Sequence, residues 1–104
     1  MWLLTSRGFY SIAAQPTDPA ALLVRSRCFA DITALNGLLP GRPVPISSAD
    51  YSWQVEATRT DWARALAILL TDVTYLSFKH ALRDSHRQEI YMGVRRQLLV
   101  VSDT

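Results

Sequence analysis

Apolar and polar positions alternate most cleanly over residues 51–58. There Tyr51, Trp53, Val55 and Ala57 fall on one side and Ser52, Gln54, Glu56 and Thr58 on the other. That period of two belongs to a half-buried strand. Residues 2–14 predict a first strand from their Thr, Phe, Tyr and Ile content, with Gly8 marking a bulge or a close backbone approach. Two prolines bracket Thr17-Asp18 in a turn over 15–19, and residues 21–27 read as the return strand. The two runs then pair as an antiparallel hairpin with a longer loop.

The period changes to that of a helix over 28–39, where Phe29, Ile32, Leu35, Leu38 and Leu39 recur at helical spacing after Ser26 as N-cap. Pro40-Gly41 stops that helix, and 42–48, with Pro43 and Pro45, is a loop or a short edge strand. Thr60 caps a second helix whose stripe is Trp62, Leu66, Leu69, Val73 and Leu76. Residues 71–78 are poor helix material and predict a joint, after which 79–83 resume helix. Ser85 with Gln88 makes a capping-box pattern and predicts a fresh start. Ile90, Val94, Leu98 and Val101 form the last apolar stripe, in which Gly93 suggests close packing. The order predicts one α+β domain over 1–104, an antiparallel sheet of three to four strands with about three helices packed on one face.

Alternation also assigns faces. Trp2, Leu4, Tyr10, Ile12, Leu22 and Val24 are expected to face the helices, and Leu3, Arg7, Phe9, Leu23, Arg25 and Arg27 to face outward. Among the outward residues Arg7, Phe9, Leu23, Arg25 and Arg27 are the candidate binding residues. A Gly8 bulge would flip part of the first strand and undo the assignment.

Composition narrows the classes of function. Of 104 residues 49% are hydrophobic and 19% charged, which is globular rather than disordered. The net charge of +2 is too small to imply nucleic acid. Ten arginines stand against the single Lys79; arginine suits interfaces, although a GC-rich genome also explains the bias. Cys28 is the one cysteine, so no internal disulfide is expected and the setting reads as a reducing cytoplasm. No leader peptide and no membrane span are expected, because Thr5, Ser6 and Arg7 interrupt the first apolar run.

One cysteine with His80 and His86 makes no zinc set, and no metal or cofactor is expected. The carboxylates Asp31, Asp50, Glu56, Asp61, Asp72 and Asp84 are scattered, with no pair spaced for acid-base work. Arg83, Arg87, Arg95 and Arg96 read as the solvated side of a helix. No catalytic constellation is present, so the chain is expected not to be an enzyme.

Several short segments taken in order carry a resemblance: Met1-Trp2-Leu3, Arg7-Gly8-Phe9-Tyr10-Ser11, Leu23-Val24-Arg25-Ser26-Arg27, Asp50-Tyr51 and Tyr75-Leu76-Ser77-Phe78-Lys79. Together they resemble a family of proteins of about one hundred residues from actinobacteria and their bacteriophages. The likeness spans most of the chain. It departs at Ser77, where the family carries Asn, and at the entry to the last helix, where a His-rich stretch is reduced to His86. The resemblance implies a cytoplasmic actinobacterial or phage setting and no particular activity. The resulting expectation is a small non-catalytic interaction protein that binds a host protein or its own copy. The alternative is a nucleic-acid binder that stacks bases on Phe9 and neutralises phosphates with the arginines of the open sheet face.

Overall fold

A computed structural model describes residues 1–102 of the chain. Two compact units divide it, Met1–Val73 and a second from Thr74 onward. The first contains an antiparallel sheet of five strands: β1 (Trp2–Leu4), β2 (Phe9–Gln15), β3 (Asp18–Ser26), β4 (Val44–Pro45) and β5 (Trp53–Thr58). Their order across the sheet is β1-β2-β3-β5-β4. Two helices follow strands in this unit, α1 (Phe29–Thr33) and α2 (Arg59–Thr71). The second unit holds α3 (Phe78–Ala81) and α4 (Ser85–Leu98). The α+β class and the antiparallel sheet are as the sequence predicts; among the described residues the strands number five rather than three to four and the helices four.

The extra strand arises at the N-terminus. The run predicted as one strand is a hairpin, β1 and β2, joined over residues 5–8. Thr5 Oγ1 accepts from the Arg7 and Gly8 amides at 3.1 Å each, and the Thr5 amide donates to the Gly8 carbonyl at 2.9 Å. A hydroxyl that caps two consecutive amides closes a turn locally. Beyond it the longer loop expected over 15–19 is tight: Gln15 faces Asp18 across it, and β3 begins at Asp18.

The inner face of the sheet carries Tyr10 and Ile12, Leu22 and Val24, and Val55 and Ala57. Ile32, Leu35 and Leu39 from the α1 region and Trp62, Ala65 and Leu69 from α2 complete the core. The helical spacing over 28–39 survives as burial although the helix itself stops at Thr33. Ala34 is its C-cap, and turns closed by the Leu35 and Asn36 amides on the Ile32 and Thr33 carbonyls lead to Gly37, whose φ of +83° is a left-handed conformation that glycine adopts without strain. Cys28 rather than Ser26 occupies the N-cap position, and Ser26, fully buried, donates its hydroxyl to the Cys28 carbonyl at 2.8 Å. Thr58, not Thr60, caps α2, its hydroxyl accepting from the Asp61 amide at 3.0 Å.

The joint expected over 71–78 is present, since α2 ends at Thr71 and α3 begins at Phe78. In the second unit the Phe78 ring lies between Tyr75, at 6.0 Å, and Tyr91, on which it stacks at 5.8 Å. The fresh helix start is also present, but Asp84 and not Ser85 is the cap: its carboxylate accepts from the His86 amide at 2.9 Å. Gln88 reaches back to the carbonyls of Leu82 and Lys79 at 2.6 and 3.0 Å. Tyr91 is the buried residue of α4, whereas the stripe Ile90, Val94 and Leu98 is exposed. Gly93 makes no close approach, because an added Cβ would meet only the Arg96 guanidinium at 3.6 Å. No described helix is long and apolar enough to cross a membrane.

Candidate interaction surface

Register fixes which residues share the outer face of the sheet. Residues directly opposite one another project to the same side. Ser11 faces Arg25, Ala13 faces Leu23, Arg25 faces Gln54 and Leu23 faces Glu56, all on the face away from Tyr10 and Val24. In the first hairpin Trp2 faces Ser11, Leu3 faces Tyr10 and Leu4 faces Phe9. Trp2 and Leu4 are therefore outward and Leu3 is inward, the reverse of the expectation. The four-residue turn breaks the period of two that had been carried through it. Leu3 packs against the core, while Trp2 is 72% exposed.

The outer face thus carries a row of aromatic rings. The Trp2 ring meets the Phe9 ring edge-on at 5.9 Å, and Phe9 lies 6.5 Å from Tyr51. Edge-to-face geometry aligns the positive ring edge with the negative face of its neighbour. Tyr51 precedes β5 instead of joining the inward set with Trp53, whose ring packs on Phe29 of α1 at 4.6 Å. Arg25 lies on the same face and donates from Nε to Gln54 Oε1 across the strands at 2.9 Å. Arg27, exposed just past the end of β3, donates to the Asp50 carbonyl.

Of the five candidate residues, Phe9, Arg25 and Arg27 are brought together here and two are not. Leu23 faces outward but is only 7% exposed; it sits in the central strand with Ala13 and Glu56 on either side. Arg7 is not on a strand. It lies in the 5–8 turn, and its guanidinium grips Asp72 with two bonds, Nε to Oδ2 at 2.7 Å and Nη2 to Oδ1 at 3.1 Å. Its Nη1 donates to the Ala34 carbonyl at 3.2 Å. Ala34 and Asp72 are the C-caps of α1 and α2, so one cation joins the turn to the negative ends of both helices. Trp2 and Tyr51 join this face although neither is among the candidates read from the sequence. The signal for Trp2 was the polar run Thr5-Ser6-Arg7-Gly8 between two apolar runs, which is a hairpin pattern.

The Arg7 hydrogen bond holds the Asp72 carboxyl below the usual carboxylate range, and Arg7 is pushed up by the same contact. A carboxyl with a lowered folded pKa adds stability above its unfolded value. That contribution fades as pH falls through the ordinary range near 4 towards the folded value. Asp72→Asn should therefore be less stable than the wild type at pH 7 by about 1 kcal/mol, the scale for a half-exposed pair. Thermal melts should show the difference narrowing as pH falls below about 4 towards the folded value.

Among the described residues no group of three or more His, Cys, Asp or Glu is placed to hold a metal ion. Asp31, buried beneath the hairpin, uses Oδ2 to accept the Phe9 amide at 3.0 Å, and its carbonyl accepts the Tyr10 hydroxyl at 2.8 Å. That pair of bonds sets the position of Phe9 from the core side. Comparison with protein-family models, curated proteins and solved structures finds no match for the chain.

Proposed function

We propose that the chain is a small non-catalytic interaction protein, phage- or prophage-encoded and working in the host cytoplasm, that binds a host protein or its own copy through the outer face of its sheet. The observation that carries this reading is the row Trp2, Phe9 and Tyr51, with Trp2 72% exposed and Arg25 and Arg27 beside it. Trp, Tyr and Arg are the residues that dominate protein interfaces: the aromatics present large rigid area with few rotors to freeze, and the planar guanidinium of arginine stacks and forks its hydrogen bonds. The setting rests on the resemblance of the Trp-Leu and Arg-Gly-Phe-Tyr-Ser segments.

Charge favours a protein over a nucleic acid as partner. The Met1–Val73 unit holds six arginines against five aspartates and one glutamate, so it is formally neutral. Arg7 is engaged by Asp72, Arg25 by Gln54 and Arg27 by a main-chain carbonyl. Of these three only Arg7 is paired with a carboxylate, but the neutral unit as a whole supplies little of the net positive charge whose neutralisation of phosphates dominates nucleic-acid affinity.

Phe9→Ala combined with Arg25→Ala is expected to weaken partner binding at least tenfold in pull-down and light-scattering titrations. Unchanged partners and an unchanged oligomeric state would reject the reading. Filter binding against a salt series separates the alternative: tight nucleic-acid binding at ~50 mM salt that collapses on salt addition would favour a nucleic-acid partner.

A further inference from the structure

The two edges of the five-stranded sheet offer different chemistry. In an antiparallel pair alternate residues aim N–H and C=O at the neighbouring strand, and those between aim away from it. Beside β4 the Ile46 amide donates to the Ser52 carbonyl at 2.9 Å, so Pro45 holds the position whose amide would point outward. Pro43, two residues earlier, repeats the substitution. Neither has a hydrogen to donate, and this edge is closed to an added strand.

The β1 edge is open. The Met1 amino group donates to the Ile12 carbonyl at 2.8 Å, and the Ile12 amide donates to the Met1 carbonyl at 2.8 Å. The Thr5 amide donates to the Gly8 carbonyl. Residues 1, 3 and 5 thus bond within the hairpin, which leaves the N–H and C=O groups of Trp2 and Leu4 aimed out of the sheet. No proline and no charged side chain stands on β1, although these are the usual devices that protect an edge.

We infer that β1 pairs antiparallel with β1 of a second copy, about a two-fold axis at Leu3. Trp2 then lies opposite Leu4 of the partner subunit, and each such pair exchanges two main-chain hydrogen bonds. The exposed indole covers that leucine on the outer face, and the two aromatic rows meet across the axis. This rests on the outer face being a protein-binding surface, and it names the partner.

Three features select a second copy over an unrelated strand. Closure is the first: with the β4 edge blocked, edge-to-edge association cannot run head to tail, and only the isologous pairing remains. Charge is the second. The strand carries no charged side chain, and a two-fold axis at Leu3 sets the two amino groups at opposite ends of the pairing, so no like charges face each other. Area is the third. A tryptophan contributes about 200 Å², and with Met1 and Leu4 the pairing buries on the order of 800 Å² in total, below the ~1,200 Å² of stable complexes. The dimer is therefore weak and concentration-dependent.

Sedimentation of the full chain from low micromolar to millimolar concentration tests this. The expected result is a shift from monomer to dimer, with the Trp2 and Leu4 amides exchanging at least tenfold more slowly at the high end. Leu4→Pro removes the outward N–H without touching a bond within the hairpin and should abolish the shift while the dilute protein stays folded by circular dichroism. Trp2→Lys, which keeps the backbone intact, should do the same if the proline variant misfolds. A wild type that stays monomeric at millimolar concentration overturns the inference. So does a dimer that survives both variants, or one whose protected amides lie elsewhere. Loss of the dimer in Leu4→Pro and also in Phe9→Ala with Arg25→Ala would support edge and outer face together, whereas loss in Leu4→Pro alone would keep the β1 pairing and reject the outer-face reading.

Discussion

Gly8→Ala should destabilise the Met1–Val73 unit by about 2 kcal/mol, the middle of the range for overpacking a filled site, and lower its thermal midpoint on the order of 10 °C. The reason is steric and not conformational. A Cβ built at Gly8 would stand 2.5 Å from Asp31 Cγ and 2.8 Å from both Asp31 Cβ and Oδ2. Asp31 cannot retreat cheaply, because it is buried and holds the Phe9 amide. A double-mutant cycle identifies the contact. Asp31→Ala removes Cγ and Oδ2 but keeps the Cβ at 2.8 Å, so the cost of Gly8→Ala should shrink in that background without vanishing. A cost of Gly8→Ala that is the same in both backgrounds would show that the clash is elsewhere.

Tyr10→Ala should be more damaging still, about 4 kcal/mol, which is the scale for emptying a buried aromatic site. Tyr10 is fully buried at the centre of the inner face, and its hydroxyl donates to the Asp31 carbonyl at 2.8 Å. Tyr10→Phe separates the two contributions. It keeps the ring and loses one neutral hydrogen bond, so it should cost about 1 kcal/mol. Urea unfolding followed by circular dichroism gives both numbers. Equal losses for the two variants would assign the stability of this site to the hydroxyl and contradict the packing argument.

Much of the inner face was legible in the sequence. Tyr10 and Ile12, Leu22 and Val24, and Val55 and Ala57 follow an alternation that a half-buried sheet imposes on any strand it contains. The start of α4 was legible too, because capping leaves polar residues at set spacings before an apolar run. The errors share a cause: periodicity was extended across a local turn that consumes residues without preserving phase. Thr5 to Gly8 did this to Trp2, Leu3 and Leu4, and sent an expected core tryptophan to the surface. Asn36-Gly37 did it to α1, where the apolar spacing outlasted the helix. Arg7 was misplaced for another reason. Its partner Asp72 lies 65 residues away, and no local pattern announces a pair of that separation. Leu23 shows the limit of a two-sided reading, since facing outward from a central strand is not the same as being exposed.

The neutrality of the Met1–Val73 unit bears on how fast a partner arrives. Long-range attraction accelerates encounter only where one surface carries net charge of the sign opposite to the other. A formally neutral unit provides no such steering, so association at its outer face should proceed at the unsteered rate of roughly 10⁵–10⁶ M⁻¹s⁻¹, with little response to ionic strength. Under the proposed function, discrimination between partners would then reside in how long each remains bound, which the fit around Trp2, Phe9 and Tyr51 would set.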